Sequence, residues 1–151
     1  MDENKKAQII RWETPFTNTF LPSVNVIIGS DEDGGPDLFL IVAPKGLDQY
    51  PKHLVRFRHW IAHTCHEEAY SPSLGIEKCT FEDRKACAHL WLNSPSLESY
   101  RGGEGFIFEE GEQLQHFLLI GGDHNVEVIS TENPDITEIK EPKTIHLEYQ
   151  L

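Results

Sequence analysis

Two apolar, β-branched runs separated by a short polar loop limit the folds open to this chain more than any other feature. Residues 24–28 read VNVII, residues 38–42 read LFLIV, and the loop 31–37 between them reads DEDGGPD. β-Branched and aromatic side chains favour strands, whereas Gly, Asp and Pro favour turns. The pattern therefore predicts a β-hairpin, and any fold of this chain must contain a sheet.

Further strand signals occur near both ends of the chain. Residues 8–12 are expected to form a short strand, and residues 105–108 another. Residues 113–120 and 126–129 flank the sequence GGDHN, which predicts a second hairpin with a glycine-rich turn. Apolar and polar residues alternate over 145–151, which is typical of a half-buried strand.

The segment 52–68 supports two interpretations. As a strand, it alternates His53, Val55 and Phe57 with polar neighbours; as a helix, it places Phe57, Ile61 and Cys65 on one apolar stripe. Its β-branched and aromatic content favours the strand, and its unusual length favours the helix. Both interpretations stay open at this point.

The clearest helix signal begins at Thr80. Asp83 follows at the spacing of a capping box, apolar residues recur at helical spacing as far as Leu92, and the sequence NSP at 93–95 ends the pattern. A further helical turn is expected at 96–100. Together with the strands, these elements predict an α+β fold: an antiparallel or mixed β-sheet packed by one or two helices, in a single domain over residues 1–151.

The chain is strongly acidic. It carries 13 Lys and Arg residues against 25 Asp and Glu residues, so its formal net charge is −12. Repulsion from phosphate argues against nucleic acid and anionic membranes as partners, whereas a basic protein would be attracted. The acidic residues cluster in two expected loops. The candidate partner-binding residues are Asp31, Glu32, Asp33, Asp37, Glu109, Glu110 and Glu112.

The sequence also indicates a compartment. No apolar run is long enough to span a membrane, and no apolar stretch of a secretory signal follows the first residues. The three cysteines are odd in number and none are spaced as C-x-x-C, which is typical of a reducing, cytoplasmic protein. The edges of a small sheet are compatible with a homo-oligomer, although no residue requires one.

Histidine and cysteine side chains concentrate in one region, and both are good zinc ligands. The candidate metal ligands are His59, His63, Cys65 and Glu67. Their spacing matches neither a zinc finger nor the motif H-E-x-x-H. A zinc site is therefore an alternative rather than the leading hypothesis.

No motif supplies a nucleophile, an oriented general base or a well-spaced ligand set. The leading hypothesis is a small, acidic, cytosolic protein that binds a protein partner without catalysis, with immunity- or antitoxin-like recognition as one form. The alternative is a metal-dependent hydrolase that uses the histidine and cysteine cluster. A binder of small ligands on the inner face of the sheet is a third hypothesis, for which the sequence offers no specific residue.

Overall fold

Strands make up most of the structure, a computed structural model that describes residues 6–30, 36–44, 49–67, 75–101 and 113–142. In chain order, the strands are β1 Gln8–Arg11, β2 Ser23–Ser30, β3 Pro36–Ala43, β4 Lys52–Phe57, β5 Trp60–Glu67, β6 Thr80–Phe81, β7 Ala88–Leu92, β8 Gln115–Ile120, β9 His124–Ser130 and β10 Asp135–Ile139. The helical elements within these ranges are a 3-10 turn, Ile76–Lys78, and a seven-residue helix, α1, Pro95–Arg101.

The strands form two sheets. The six-stranded sheet has the order β5-β9-β8-β7-β1-β6, and the four-stranded sheet has the order β10-β4-β3-β2. Neighbouring strands are antiparallel except β1 and β6, which are parallel. The expected α+β class is therefore wrong, because a second sheet packs against the first where helices were expected.

The core lies between the facing surfaces of the two sheets. The four-stranded sheet contributes side chains such as Leu40, Val55 and Phe57, and the six-stranded sheet contributes Phe117 and Val128. All five are buried, and the Phe57 and Phe117 rings lie 5.2 Å apart between centroids. Period-two alternation sends every second side chain of each strand into this layer.

The predicted helix beginning at Thr80 is wrong. The segment instead forms β6, a loop and β7, which lies between β1 and β8 and buries Trp91. Two acidic residues after Thr80 instead bind Arg11: Glu82 Oε2 accepts its backbone N–H at 2.7 Å, and Asp83 Oδ2 accepts from Nη1 at 2.5 Å. Long-range pairing has overridden the local helix signal.

Both predicted hairpins are confirmed. β2 and β3 pair along their whole length, from Ser23 opposite Ala43 to Ser30 opposite Pro36. β8 and β9 pair across the turn at residues 121–123. The expected strand at 8–12 is confirmed as β1, while those at 105–108 and 145–151 lie outside the described residues.

The ambiguous segment 52–68 is extended, but it is not one strand. β4 belongs to the four-stranded sheet and β5 to the six-stranded sheet, and the chain crosses between them at Arg58 and His59. The crossing explains why the segment was too long for a single strand. The expected helical turn at 96–100 is confirmed as α1, which packs Leu97 against Leu114 and Ile129. This helix is far too short to cross a membrane, and no other described helix could do so.

Candidate functional site

A chain of buried polar side chains crosses the six-stranded sheet on the face that bears α1. Ser94 Oγ lies 2.6 Å from His116 Nδ1, and His116 Nε2 lies 2.8 Å from Glu127 Oε1. The second carboxylate oxygen, Glu127 Oε2, lies 2.7 Å from His66 Nε2. Ser94, His116 and Glu127 are 0%, 2% and 8% exposed. We call these four residues the polar network.

Strand geometry brings the polar network together. Glu127 lies on β9, between β8 and β5, and its direct partners in the ladder are Leu118 and Thr64. His116 and His66 each lie two residues from those partners, so they are the diagonal neighbours of Glu127 on its two sides. Ser94 immediately precedes α1 and accepts the backbone N–H of Leu97 at 3.2 Å.

One set of proton positions satisfies these contacts. The Ser94 hydroxyl donates to His116 Nδ1, and His116 Nε2–H and His66 Nε2–H donate to the two oxygens of Glu127. In this assignment the carboxylate of Glu127 accepts one hydrogen bond from each ring. The carboxylate then fixes the tautomers of the two rings.

The connectivity of Ser94, His116 and Glu127 is that of a serine–histidine–acid triad. Ser94, however, has no exposed surface, and its oxygen already accepts the N–H of Leu97 at the start of α1. An acyl substrate would have no path to this oxygen without displacing the helix. In this arrangement the polar network supports the sheet and the helix instead of offering a nucleophile.

A second feature is the position of β2 at one edge of the four-stranded sheet, as the described strands define it. Among the described strands, β3 alone pairs with β2, and β2 reads SVNVIIGS, without charge or proline. Val24 and Val26 pack into the core, so Asn25 and Ile27 point to the outer face of the sheet. Asn25 is exposed, and Ile28 at the end of the strand is 48% exposed.

The outer face beside β2 carries a row of apolar side chains, bordered by the ion pair of Arg56 and Asp37. Ile27 lies opposite Phe39, Asn25 lies opposite Ile41, and Ile41 lies opposite Leu54. Phe39 is buried, and the guanidinium of Arg56 lies 5.7 Å from its ring centroid. Ile27, Ile41 and Leu54 are half-buried. An apolar surface beside a free strand edge is a feature of protein-interaction sites.

The predicted partner-binding residues are only partly placed. Asp31, Glu32, Asp33, Glu109, Glu110 and Glu112 lie outside the described residues. Asp37 lies on β3 with its side chain 4% exposed, and its Oδ2 accepts from Arg56 Nε at 2.7 Å. Its carboxylate is therefore committed to an ion pair within the sheet.

The predicted metal ligands are spread along β5 and the turn before it. His59 lies in that turn, 3.5 Å from a carboxylate oxygen of Glu132. The other three, His63, Cys65 and Glu67, occupy every second position of β5. Partial desolvation raises the pKa of the Cys65 thiol. Over the described ranges, no group of three His, Cys, Asp or Glu residues is arranged to hold a metal ion.

Sequence reasoning missed Ser94, His116 and Glu127, and it left His66 out of the predicted ligands. Glu127 could have been found, since it is a single charge within the apolar run VEVI, and such a residue in a sheet needs buried partners. Ser94 before Pro95 is a helix-start signal that was interpreted as a helix end.

Comparisons with known proteins give no relative from which a role could be transferred. No protein-family model matches the chain, and neither the curated proteins nor the solved structures contain a significant match.

Proposed function

We propose that this protein is a non-enzymatic binding module that takes an extended segment of a basic protein partner onto the edge of β2. The observation that carries this proposal is the edge itself: eight residues without charge or proline, paired on one side only among the described strands. A partner strand added there would gain main-chain hydrogen bonds along β2 and side-chain contacts with the apolar outer face.

Protected sheet edges differ from β2 in a recognisable way. Proteins usually block a free edge with charged residues, proline, bulges or a short strand, because an open edge pairs with other chains. β2 has eight residues in regular register with β3, and its only polar side chains are two serines and Asn25. An edge kept in this state is consistent with one that is used for binding.

Charge supports a basic partner. The net charge of −12 attracts a cationic segment over a distance of about a Debye length, near 10 Å in moderate salt. Asp31, Glu32 and Asp33 follow β2 directly in the sequence. The segment that we propose therefore combines alternating apolar residues with Lys or Arg residues.

The location that fits this proposal is the cytoplasm. All three cysteines are free, and Cys65 is exposed. An exposed free thiol persists most readily in a reducing compartment. A hydrolase that uses zinc has no comparable support, because the described residues bring no set of ligands together.

A matched pair of substitutions tests the proposed edge. Asn25, Ile41, Leu54 and Thr137 form one cross-strand row, with Asn25 and Thr137 on the two opposite edges of the same sheet. Both end residues are exposed. Asn25→Lys places a charge on the β2 edge, whereas Thr137→Lys places the same charge on the β10 edge.

The experiment captures partners from a cell extract on immobilised wild-type, N25K and T137K proteins. We expect one protein to be captured by the wild-type and T137K forms and to be released by high salt. The amount captured by N25K should be at least tenfold lower. Equal retention by N25K would exclude the β2 edge, and the absence of any specifically retained protein would overturn the proposal. A wild-type dimer that N25K dissociates in sedimentation would make a second copy of this chain the occupant.

A further inference from the structure

β7 and β8 separate part of the way along their length. Their ladder runs from Ala88 opposite Leu119 to Leu90 opposite Phe117, and at the Ala88 end it continues in the hydrogen bond from Ile120 N to Cys87 O at 2.8 Å. No register pair joins the two strands beyond Leu90 and Phe117 at the other end. Between the diverging ends lies an open cavity of about 490 Å³. This volume is within the range of small-molecule sites, which is roughly 300–1,000 Å³.

The cavity wall combines leucines with amide, indole and imidazole side chains. Four leucines line it, namely Leu90, Leu92, Leu97 and Leu114. The remaining lining residues are Trp91, Asn93, Gln113, Gln115 and His116, and none of the nine is Asp, Glu, Lys or Arg. A charged ligand would lose its hydration here without gaining a counter-ion, so the lining selects for neutral molecules.

Two polar atoms of the lining residues have no hydrogen-bond partner. They are the indole nitrogen Nε1 of Trp91 and the side-chain oxygen Oε1 of Gln115. Trp91 is 1% exposed, and both atoms are shielded from water. Most buried polar groups in proteins are paired, so an unpaired donor and an unpaired acceptor in residues that line one cavity call for an explanation.

The polar network holds this wall in place. The Trp91 ring stacks on His116, with centroids 4.9 Å apart and planes 24° apart. His116 is in turn held by Ser94 on one nitrogen and by Glu127 on the other. The polar network therefore orients the Trp91 ring, which forms one wall of the cavity.

We propose that the cavity between β7 and β8 binds a neutral small molecule with a flat apolar body and an amide-like group. The amide oxygen would accept from Trp91 Nε1 and the amide N–H would donate to Gln115 Oε1, after a small shift of the side chains that shield them. This site lies in the six-stranded sheet, so it is independent of the partner edge on β2 in the four-stranded sheet.

Three matched probes test the ligand class: naphthalene-1-carboxamide, 1-naphthoate and 1-methylnaphthalene. They share the ring and differ in their polar group, which is a neutral amide, a carboxylate and a methyl group. We expect the carboxamide to bind one molecule per chain in an NMR titration, and the naphthoate and methylnaphthalene to bind at least tenfold more weakly. Equal or tighter binding of the naphthoate would overturn the proposal, as would no binding of the carboxamide.

Two further readouts locate the bound probe. Leu92→Trp fills the cavity from a partly exposed position and should weaken carboxamide binding at least tenfold, whereas Ile28→Trp, at an exposed site on β2, should leave it within twofold. The indole N–H resonance of Trp91 should shift on binding. That of Trp60, which already donates to Pro36 O at 3.1 Å, should not. Unchanged binding by L92W, or a shift of Trp60 in place of Trp91, would contradict the assignment.

Discussion

The hydroxyl oxygen of Ser94 lies 2.6 Å from Nδ1 of His116, and this contact joins the start of α1 to strand β8. The two residues are 22 positions apart in the sequence and both are buried. Through His116 the contact continues to Glu127 and His66. A single buried hydroxyl thus links the only described α-helix to three strands of the six-stranded sheet.

Ser94→Ala should destabilise the protein by about 2–4 kcal/mol. The substitution removes a helix cap, which is typically worth about 1 kcal/mol, and leaves a buried nitrogen of His116 without its donor, at about 1–3 kcal/mol. Chemical denaturation measures the change. Ser99→Ala is the matched control in the same helix, since Ser99 is exposed and should change the free energy of unfolding by less than about 0.5 kcal/mol.

Glu127→Gln should cost about 2–4 kcal/mol of unfolding free energy. The amide offers one acceptor where two histidine N–H groups need one each, so one donor faces an NH₂ group. Thermal and urea unfolding should both detect the loss. Glu132→Gln, at a carboxylate that is 64% exposed, should leave stability nearly unchanged. Equal stabilities for the two variants would mean that the polar network contributes nothing to the fold.

Stability should fall as the pH drops below 6.5, and His89 should be one cause. Burial lowers the pKa of His89 below its ordinary value of 6.5, as it does for His53. Each ring is neutral in the folded protein, and the unfolded chain binds the proton first as pH falls. The contribution of each histidine to the free energy of unfolding is therefore complete above pH 6.5, and it is lost as the pH falls towards the folded-state pKa.

The test compares unfolding free energies between pH 7.5 and 5.5. His89→Gln should flatten the slope by at most about 1.4 kcal/mol per pH unit, the limit for a single group. His53→Gln, at the other ring whose pKa burial lowers, should flatten the slope in the same direction. Glu13 and Asp83 have lowered pKa values, so they change the pH dependence of stability only below about pH 4.5, outside this window.

Gly121→Ala should destabilise the β8–β9 turn by about 2–3 kcal/mol. An added Cβ would lie 2.6 Å from the carbonyl oxygen of His124 and 2.9 Å from that of Pro22, and backbone atoms cannot move aside cheaply. Gly122→Ala, in the same turn, meets the Leu21 oxygen at 3.1 Å and should cost about 1 kcal/mol or less. The reverse order of stabilities in thermal unfolding would contradict this account of the turn.

The hairpins could be predicted because their signals are local. In β2 and β3, and again in β8 and β9, strand-forming residues flank a short loop, and the partner lies next in the sequence. The strand β7 could not be predicted in this way. Its partners β1 and β8 are distant in sequence, and the acidic residues before it serve Arg11, which lies 71 and 72 positions away.

The candidate sites, like the strands, could be predicted only where their signals are local in the sequence. The apolar β2 run was visible in the sequence, but its position at an edge depends on which strands pair. The histidine cluster was noticed, yet alternation along β5 separates His66 from His63 and Cys65. Only His66 reaches Glu127. The partners of Glu127 come from β5 and β8, which local patterning does not bring together.

The central claim is that the edge of β2 receives a partner strand. The most direct test is amide hydrogen exchange, measured on the free protein and on its complex with a captured partner. We predict that exchange slows in the peptide that covers β2, Ser23–Ser30, while β10, Asp135–Ile139, at the opposite edge of the sheet, exchanges as in the free protein. Protection confined to other strands, with β2 unchanged, would contradict the claim.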